Sequence, residues 1–426
     1  MSAPTQNPDA QGTETAGPLT RWAWYAYDFG NTAVEFAIPL YLTIWIINDL
    51  GVTAWAFGLA SALSSWAVGL SGPYIGVSAD ENRTRRLWFT VSALVATLLF
   101  GLLPFLPRRG AAALFASLVV AMTANYAFQV SSLIYNASML KAAAGVNVVS
   151  VSSRGMALSF AGGAAGVLVM ESLVSGRLLP GISGRAYAML PAALIFLACC
   201  LPGIFASKLW QKKDEPVHVP PGQLHERMAS LWRESAQQHK AGWFLAGYFA
   251  LNSSVMGLTL YLPLHVQVAT GLGGMRLLLV FALVVLMSAV GAVAVSLLSP
   301  GKTLVRRLIL GGLILLGLNA LVFSLASSLA WMLFFASVHG LLSGALVPTV
   351  RGAFAQIFPA DYQALAFGLF GAVQRVSQGA GALLSPLASA AGGSSTTAIG
   401  IAAMGVLALL GAPLFLRWNY GKTAGP

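Results

Sequence analysis

The feature that most constrains this chain is a series of long apolar runs separated by polar or Gly/Pro-containing breaks. The runs lie at 22–47, 53–78, 87–106, 111–138, 156–175 and 186–206, and then at 242–265, 275–299, 306–326, 330–356, 363–390 and 397–417. A helix needs roughly 20 apolar residues to cross a bilayer, and the runs have about that length. The sequence therefore predicts an all-α integral membrane protein with about twelve transmembrane helices.

The composition agrees with a chain that lies mostly in lipid. Of its 426 residues, 57% are hydrophobic and 9% are charged, whereas a soluble protein is about a quarter charged. The net charge of +11 is interpreted as basic residues retained on one side of the bilayer, so no nucleic-acid partner is expected. Cys199 and Cys200 are adjacent and have no metal-site spacing. Because no nucleophile–base pairing or cofactor motif appears either, we predict neither an enzyme nor a cofactor.

A polar interval divides the runs into two sets of six. We predict a disordered cytoplasmic tail at 1–20, a six-helix bundle at 21–206, a cytoplasmic linker with a short amphipathic helix at 207–241, a second six-helix bundle at 242–418 and a tail at 419–426. The halves echo each other, since Met156–Gly162 and Leu365–Gly371 open the fifth and eleventh runs with similar residues. Two pseudo-symmetric bundles of this kind are the parallel repeat of major facilitator transporters.

Basic residues predict the orientation. If both termini are cytoplasmic, 17 of the 24 Lys and Arg residues lie on the inner side and 5 on the outer side, while Arg351 and Arg375 lie in or at the ends of runs. Membrane proteins keep their basic loops in the cytoplasm, so this bias favours that orientation. We expect the host membrane to be a bacterial inner membrane or an internal compartment.

The loop after the second run carries glycine, acidic and basic residues in a fixed order. It reads Gly72-Pro-Tyr-Ile-Gly76-Val-Ser-Ala-Asp80-Glu-Asn-Arg83-Thr-Arg85-Arg86. This resembles the gating motif that major facilitator proteins carry between spans two and three. Gly76 would allow close helix contact, and Asp80 could cap a neighbouring helix or pair with arginine. Because Arg83 stands where the family has glycine, we expect an altered turn. The matching loop of the second half, 299–307, keeps the bases but has no acid.

Three further stretches carry a narrower resemblance. They are Tyr25-Ala-Tyr-Asp28-Phe-Gly-Asn31-Thr-Ala in the first run, 152–163 at the start of the fifth, and Gly340-Leu-Leu-Ser-Gly344 with Phe367-Gly368 in the tenth and eleventh. Together they resemble the autophagy-related vacuolar amino-acid effluxer family and its bacterial relatives. The resemblance implies secondary transport, with spans 1, 4, 7 and 10 lining the cavity.

Polar residues inside the runs are the candidates for binding a substrate or a coupling ion. Asp28 and Glu35 lie seven residues apart on one helical face, with Asn31 between them. The other candidates are Asn125, Gln129 and Asn136 in span 4, Asn252 and His265 in span 7, His339 in span 10, and Gln374 and Arg375 in span 11. Arg375 cannot lose its charge. We therefore expect it to pair with Asp28 or Glu35 across the cavity, or with an anionic substrate.

These observations leave three functional hypotheses. The first is a secondary active transporter that moves a small polar solute, with an amino acid or related metabolite favoured, by alternating access and with Asp28 or Glu35 carrying a coupling proton. The second is a transporter of iron or another divalent metal, with Asp28, Glu35, His265 and His339 as ligands, although no motif clusters them. The third is a membrane scaffold or sensor that keeps the fold without transporting, supported only by the acid missing from the second-half loop.

Overall fold

The computed structural model describes residues 16–107, 109–179, 184–210, 223–271, 275–358, 360–391 and 397–418. Residues 1–15 and 211–222 and the tail at 419–426 lie outside this description, so the disorder predicted for the tails stays a prediction. The first helix begins at Pro18, three residues inside the predicted N-terminal tail. A proline in the first turn explains the early start, because its fixed φ suits a helix and its missing N–H costs nothing there.

The first half of the described chain is helical. It forms α1 (Pro18–Ala37), α2 (Ala54–Glu81), α3 (Arg85–Leu102), α4 (Ala111–Ala137), the short α5 (Met139–Ala142), α6 (Val148–Val174) and α7 (Met189–Phe205). Two π-helical segments, Ile38–Leu42 and Trp45–Asp49, extend α1. Short 3₁₀ turns lie at Leu103–Phe105, Arg185–Ala188 and Ser207–Leu209.

The second half of the described chain is helical as well, after the amphipathic helix α8. Its elements are α8 (Leu224–His239), α9 (Ala241–Thr270), α10 (Met275–Leu298), α11 (Lys302–Phe323), α12 (Leu329–Phe354), a 3₁₀ turn at Ala360–Tyr362, α13 (Gln363–Ala391) and α14 (Thr397–Leu416). We call the end of the molecule at which α1 begins and α14 ends the inner end, after the predicted orientation.

Nine helices of the described chain are long and apolar enough to cross a membrane. They are α1, α3, α4, α6, α7, α10, α11, α12 and α14. The remaining long helices, α2, α9 and α13, form one group, in which α13 packs against both of the others. The predicted all-α membrane fold is confirmed, whereas the division into two bundles and a linker stays a prediction.

Two seams join the two halves of the chain. α2 packs against α13, and α6 packs against α10 and α12. At the first seam Gly72 faces Gly368, and a Cβ at Gly76 would overlap the carbonyl group of Ala364. Small residues allow membrane helices to approach this closely, so the glycines predicted to permit close contact lie at the contact itself.

The amphipathic helix α8 covers the inner end of the α2–α13 seam. Leu231 of α8 is buried against Val77 of α2 and Leu365 of α13, and Met228 packs beside them. The sequence predicted a helix lying on the membrane surface. The structure packs Leu231 and Met228 of that face on the protein, because the seam offers one apolar side chain from each half, and the position of the helix on the membrane surface stays a prediction.

Gly76→Ala should destabilise the seam. Its methyl group would overlap backbone atoms of α13, and overpacking of this kind costs about 1–3 kcal/mol. We expect a lower midpoint of thermal unfolding in detergent. Gly311→Ala is the matched control, since nothing lies within 4 Å of a Cβ there, and it should unfold at or above the parent temperature. Equal midpoints for Gly76→Ala and Gly311→Ala would contradict the contact.

Candidate functional site

A buried ion pair joins the two halves inside the bundle. Nη2 of Arg351, on α12, lies 3.2 Å from Oδ2 of Asp28, on α1. Arg351 also donates to Ser152 of α6, from Nε to Oγ at 2.9 Å and from Nη2 to the carbonyl oxygen at 2.9 Å. Asp28 is 5% exposed and Arg351 9% exposed. Three helices from both halves therefore meet at one pair of opposite charges.

Aromatic rings and a glycine enclose this pair. The guanidinium of Arg351 lies 5.5 Å from the centre of the Trp24 ring, a distance at which cation–π attraction operates. Trp24 stacks on Tyr135 at 4.6 Å, and Tyr135 lies beside the Asp28 carboxylate. A Cβ at Gly155 of α6 would overlap both Asp28 and Trp24. The glycine thus lets α6 pass directly over the carboxylate.

The expected pairing of Asp28 with Arg375 is wrong, because Arg351 is the partner. Periodicity alone could not choose between two arginines on different helices, since the choice depends on how α12 and α13 pack. Ser152, Trp24 and Gly155 were also missed as members of the site. Arg351 did give a signal, because a charge near the end of an apolar run needs a partner.

Glu35 lies two turns beyond Asp28 on α1, and its side chain is exposed although it stands inside an apolar helix. The Asn31 amide lies beside it, and the charge of Arg375 acts on it at longer range. Arg375 donates from Nη1 to Oε1 of Gln378 at 3.2 Å. In the described chain no carboxylate lies within 4 Å of Arg375. The expected Glu35–Arg375 ion pair is therefore not formed, and the two charges interact only at longer range.

The three amides of α4 do not converge. Asn125 donates to Ser64 of α2 at 3.4 Å, and Asn136 donates to a carbonyl of its own helix. Gln129 is buried, and its Oε1 has no hydrogen-bond partner. These residues were predicted to share one helical face, but their side chains lie in three separate environments.

The candidate residues in the second half of the chain mostly form hydrogen bonds between helices. Asn252 donates to Ser377 Oγ at 2.7 Å and to the carbonyl of Gln374 at 3.3 Å, which joins α9 to α13. His265 lies 2.7 Å from the hydroxyl of Thr397, and His339 lies 3.3 Å from that of Thr259. In both rings the other nitrogen is buried without a partner.

At the inner end, Asp80 both caps a helix and pairs with an arginine. Its oxygens accept from the backbone N–H groups of Ala364 at 3.2 Å and Leu365 at 2.9 Å, at the start of α13. Arg85 contacts Asp80 at 2.5 Å and donates to the carbonyl of Asp361 at 2.6 Å. A carboxylate at a helix N-terminus is stabilised by the helix dipole. We call this contact the acidic latch.

The turn after Asp80 passes through a left-handed arginine, and the altered turn that we expected stays a prediction. Arg83 has a φ of +55°, the left-handed conformation that glycine adopts most easily. Arginine therefore tolerates the conformation in place of the family glycine. Arg86 donates to the carbonyl of Ile204 at 2.9 Å and so ties this loop to the end of α7.

A neutral contact replaces the acidic latch at the other seam. Asn147 caps α6 by accepting from Ser150 N–H at 2.9 Å and donates to the carbonyl of Pro300 at 2.9 Å. Ser150 Oγ donates to the carbonyl of Ser296 at 2.7 Å, and Arg154 donates to Ser296 Oγ at 2.9 Å. Amide and hydroxyl groups, with the Arg154 guanidinium beside them, thus stand where the second-half loop has no acid. We call the hydrogen bonds of Asn147 and Ser150, which involve no charged group, the neutral latch.

Comparison with known proteins identifies the superfamily to which this architecture belongs. The sequence model of the Major Facilitator Superfamily matches residues 26–305, more than half of the chain. The chain belongs to the Major Facilitator Superfamily. It is therefore a multi-pass membrane protein of a transporter superfamily, not of an enzyme family. No curated protein matches the chain, and the narrower resemblance to vacuolar amino-acid effluxers stays a prediction.

Solved structures share the superfamily fold. The human organic anion transporter MFSD10 (TETRAN) is 15% identical with a TM-score of 0.70, covering 94% of this chain and 100% of that one. A bacterial homologue of the iron transporter ferroportin, in an outward-facing state, is 15% identical with a TM-score of 0.71, covering 94% and 98%. The proton:xylose symporter XylE is 12% identical with a TM-score of 0.67, covering 95% and 96%. At these identities the likeness concerns the fold alone.

Asp28→Asn should strongly destabilise the protein. Removing one partner of a buried pair leaves the other charge uncompensated, which costs about 3–5 kcal/mol. The double variant Asp28→Asn/Arg351→Met should recover part of this loss of unfolding free energy. Arg185→Gln is the control, because it breaks the exposed Arg185–Asp49 pair and should cost under about 1 kcal/mol. Additive losses in the double variant would contradict a direct pair.

Arg83→Gly should stabilise the loop. A non-glycine residue in the left-handed region costs about 1–2 kcal/mol, and glycine relieves much of that cost. We expect a higher midpoint of thermal unfolding. The neighbouring Thr84→Gly, at a negative φ of −99°, should give no gain. Equal effects of the two glycines would show that Arg83 carries no strain.

Proposed function

We propose that the chain is a secondary active transporter that moves a small polar solute across its membrane by alternating access. The observation that carries the proposal is the buried Asp28–Arg351 pair between the halves, with the exposed Glu35 two turns further along α1. Ionisable side chains inside a membrane protein are costly and usually mark a pathway for substrates or ions. Superfamily membership supports the same proposal.

The hydrogen bonds across the seams support alternating access. Both the acidic latch and the neutral latch lie at the inner end of the bundle, where α13 and α6 begin. Together with the buried Asp28–Arg351 pair, they hold that end closed in the conformation described here. An inward-opening movement must separate α2 from α13 and α6 from α10, so it must break both latches.

Glu35 is the favoured site for the solute or a coupling proton. Its carboxylate is exposed and has a neutral amide beside it, whereas the Asp28 carboxylate is already paired. A free carboxylate can bind the ammonium group of an amino acid or related metabolite, or carry a proton. Asp28 is better suited to a structural switch, because separating it from Arg351 would leave two buried charges without partners.

The metal-transport alternative has less support. Among the described residues, no group of three His, Cys, Asp or Glu side chains lies close enough together to hold a metal ion. Asp28 is engaged by Arg351, while His265 and His339 bind hydroxyl groups of different partners. Within the part of the chain that the structure describes, no contact favours the scaffold alternative over transport.

Glu35→Gln should abolish transport. We expect uptake of radiolabelled amino acids into proteoliposomes under an inward proton gradient to fall at least tenfold, because the neutral amide neither binds an ammonium group nor carries a proton. The matched control is Glu171→Gln, a second glutamate within a helix, which accepts a hydrogen bond from Tyr41 at 3.0 Å. This control should transport normally.

Three results would revise the proposal. Full uptake by Glu35→Gln would remove Glu35 from the pathway. Uptake of labelled Fe²⁺ or Mn²⁺, but not of amino acids, by the parent protein would favour the metal alternative. A folded parent protein that moves neither amino acids, sugars nor metals would favour the scaffold.

A further inference from the structure

An apolar crevice lies between α2, α9 and α13, outside the Asp28–Arg351 cluster. It has a volume of about 660 Å³. Its walls include Trp66 and Leu70 of α2, Leu245 and Phe249 of α9, and Val376 of α13, and Arg375 contributes the one charged side chain. An apolar crevice with a single cation is the kind of site that an amphiphilic anion fits.

The mouth of this crevice faces the bilayer. Trp66, Leu70 and Val376 lie in the middle of long helices, yet their side chains are 55%, 75% and 58% exposed. Apolar side chains exposed at that position contact lipid chains. A hydrocarbon chain can therefore enter the crevice sideways from the bilayer.

Arg375 lacks the anionic partner that its position demands. Its guanidinium keeps its charge. Nη1 donates to the neutral Gln378 at 3.2 Å, and Nε is buried with no partner. Glu35 acts on it only through space, because no carboxylate of the described chain lies within 4 Å. A cation enclosed by apolar walls is stabilised by a bound anion.

A second cavity adjoins the crevice on the side of α8. It has a volume of about 460 Å³ and shares Leu245, Ala372 and Val373 with the first cavity. Its other walls include Met228 and Trp232 of α8. Apolar walls therefore line both cavities between the amphipathic helix and Arg375.

We propose that this crevice binds a free long-chain carboxylic acid, with the carboxylate on Arg375 and the chain along α2 and α9. Arg375 lies twelve residues beyond the first residue of α13, about 18 Å along the helix axis. A phospholipid headgroup stays in the interfacial region of the bilayer, whereas a single carboxyl group is small enough to reach that depth. The proposal does not depend on which solute the central cluster carries.

The test is photolabelling of the full-length protein in nanodiscs with a diazirine derivative of a long-chain fatty acid. We expect labelled peptides from α2 and α13, and competition by an unlabelled fatty acid but not by its methyl ester. Arg375→Gln should lower the labelling at least tenfold. Gly69→Leu should do the same by filling the crevice, since a Cβ there meets only Ala372 Cα, at 3.8 Å.

The controls separate the crevice from folding and from transport. Gly311→Leu places the same side chain on α11, in open space, and should label like the parent protein. Each variant is first checked for parental thermal unfolding, and Gly69→Leu tests the site even if Arg375→Gln does not fold. Glu35→Gln removes a negative charge that acts on Arg375 and so should not lower the labelling, which makes loss of transport and loss of labelling distinguishable.

Specific outcomes would overturn the proposal. Equal competition by the methyl ester would show that the carboxylate is not recognised. Parental labelling of folded Gly69→Leu would place the acid elsewhere. Competition by phosphatidylglycerol, with none by the free acid, would show that the crevice takes an anionic phospholipid instead.

Discussion

The structure depends on one constraint, which is that a charge inside a membrane protein must be matched by another. Asp28 and Arg351 pair at 3.2 Å, and Ser152 accepts further hydrogen bonds from Nε and Nη2 of the guanidinium. Because the two charges come from different halves of the chain, the pair also couples the halves. Any movement that separates the halves at this point must supply new partners for both charges, from water, substrate or a proton.

Close helix contact is the second requirement, and glycine meets it. Gly155 lets α6 cross directly over the Asp28 carboxylate, and Gly76 lets α2 approach the start of α13. That approach is what brings Asp80 within hydrogen-bonding distance of the N–H groups of Ala364 and Leu365. The glycines and the charges therefore act together, since neither the ion pair nor the acidic latch could form between helices held farther apart.

The two seams use different chemistry for the same task. The acidic latch stabilises the start of α13 with a carboxylate and an arginine. The neutral latch stabilises the start of α6 with Asn147 and hydroxyl groups. The seams should therefore respond differently to salt, because screening weakens the charged contact more than the neutral ones. The asymmetry therefore distinguishes the two seams chemically, and Leu231 of α8 packs beside the acidic latch.

The sequence by itself determined the all-α membrane fold, the ends of most helices to within a few residues, and the need of Asp28 and Asp80 for charged or polar partners. Those conclusions follow from local properties, namely apolar length, glycine spacing and the cost of a charge in lipid. Only the tertiary structure decided that Arg351 pairs with Asp28, that Arg375 lines an apolar crevice, and that the α4 amides separate. The physical reason is that a residue's partner depends on the rotation and crossing of whole helices. Those are set by packing between segments far apart in the chain, which hydropathy and periodicity do not record.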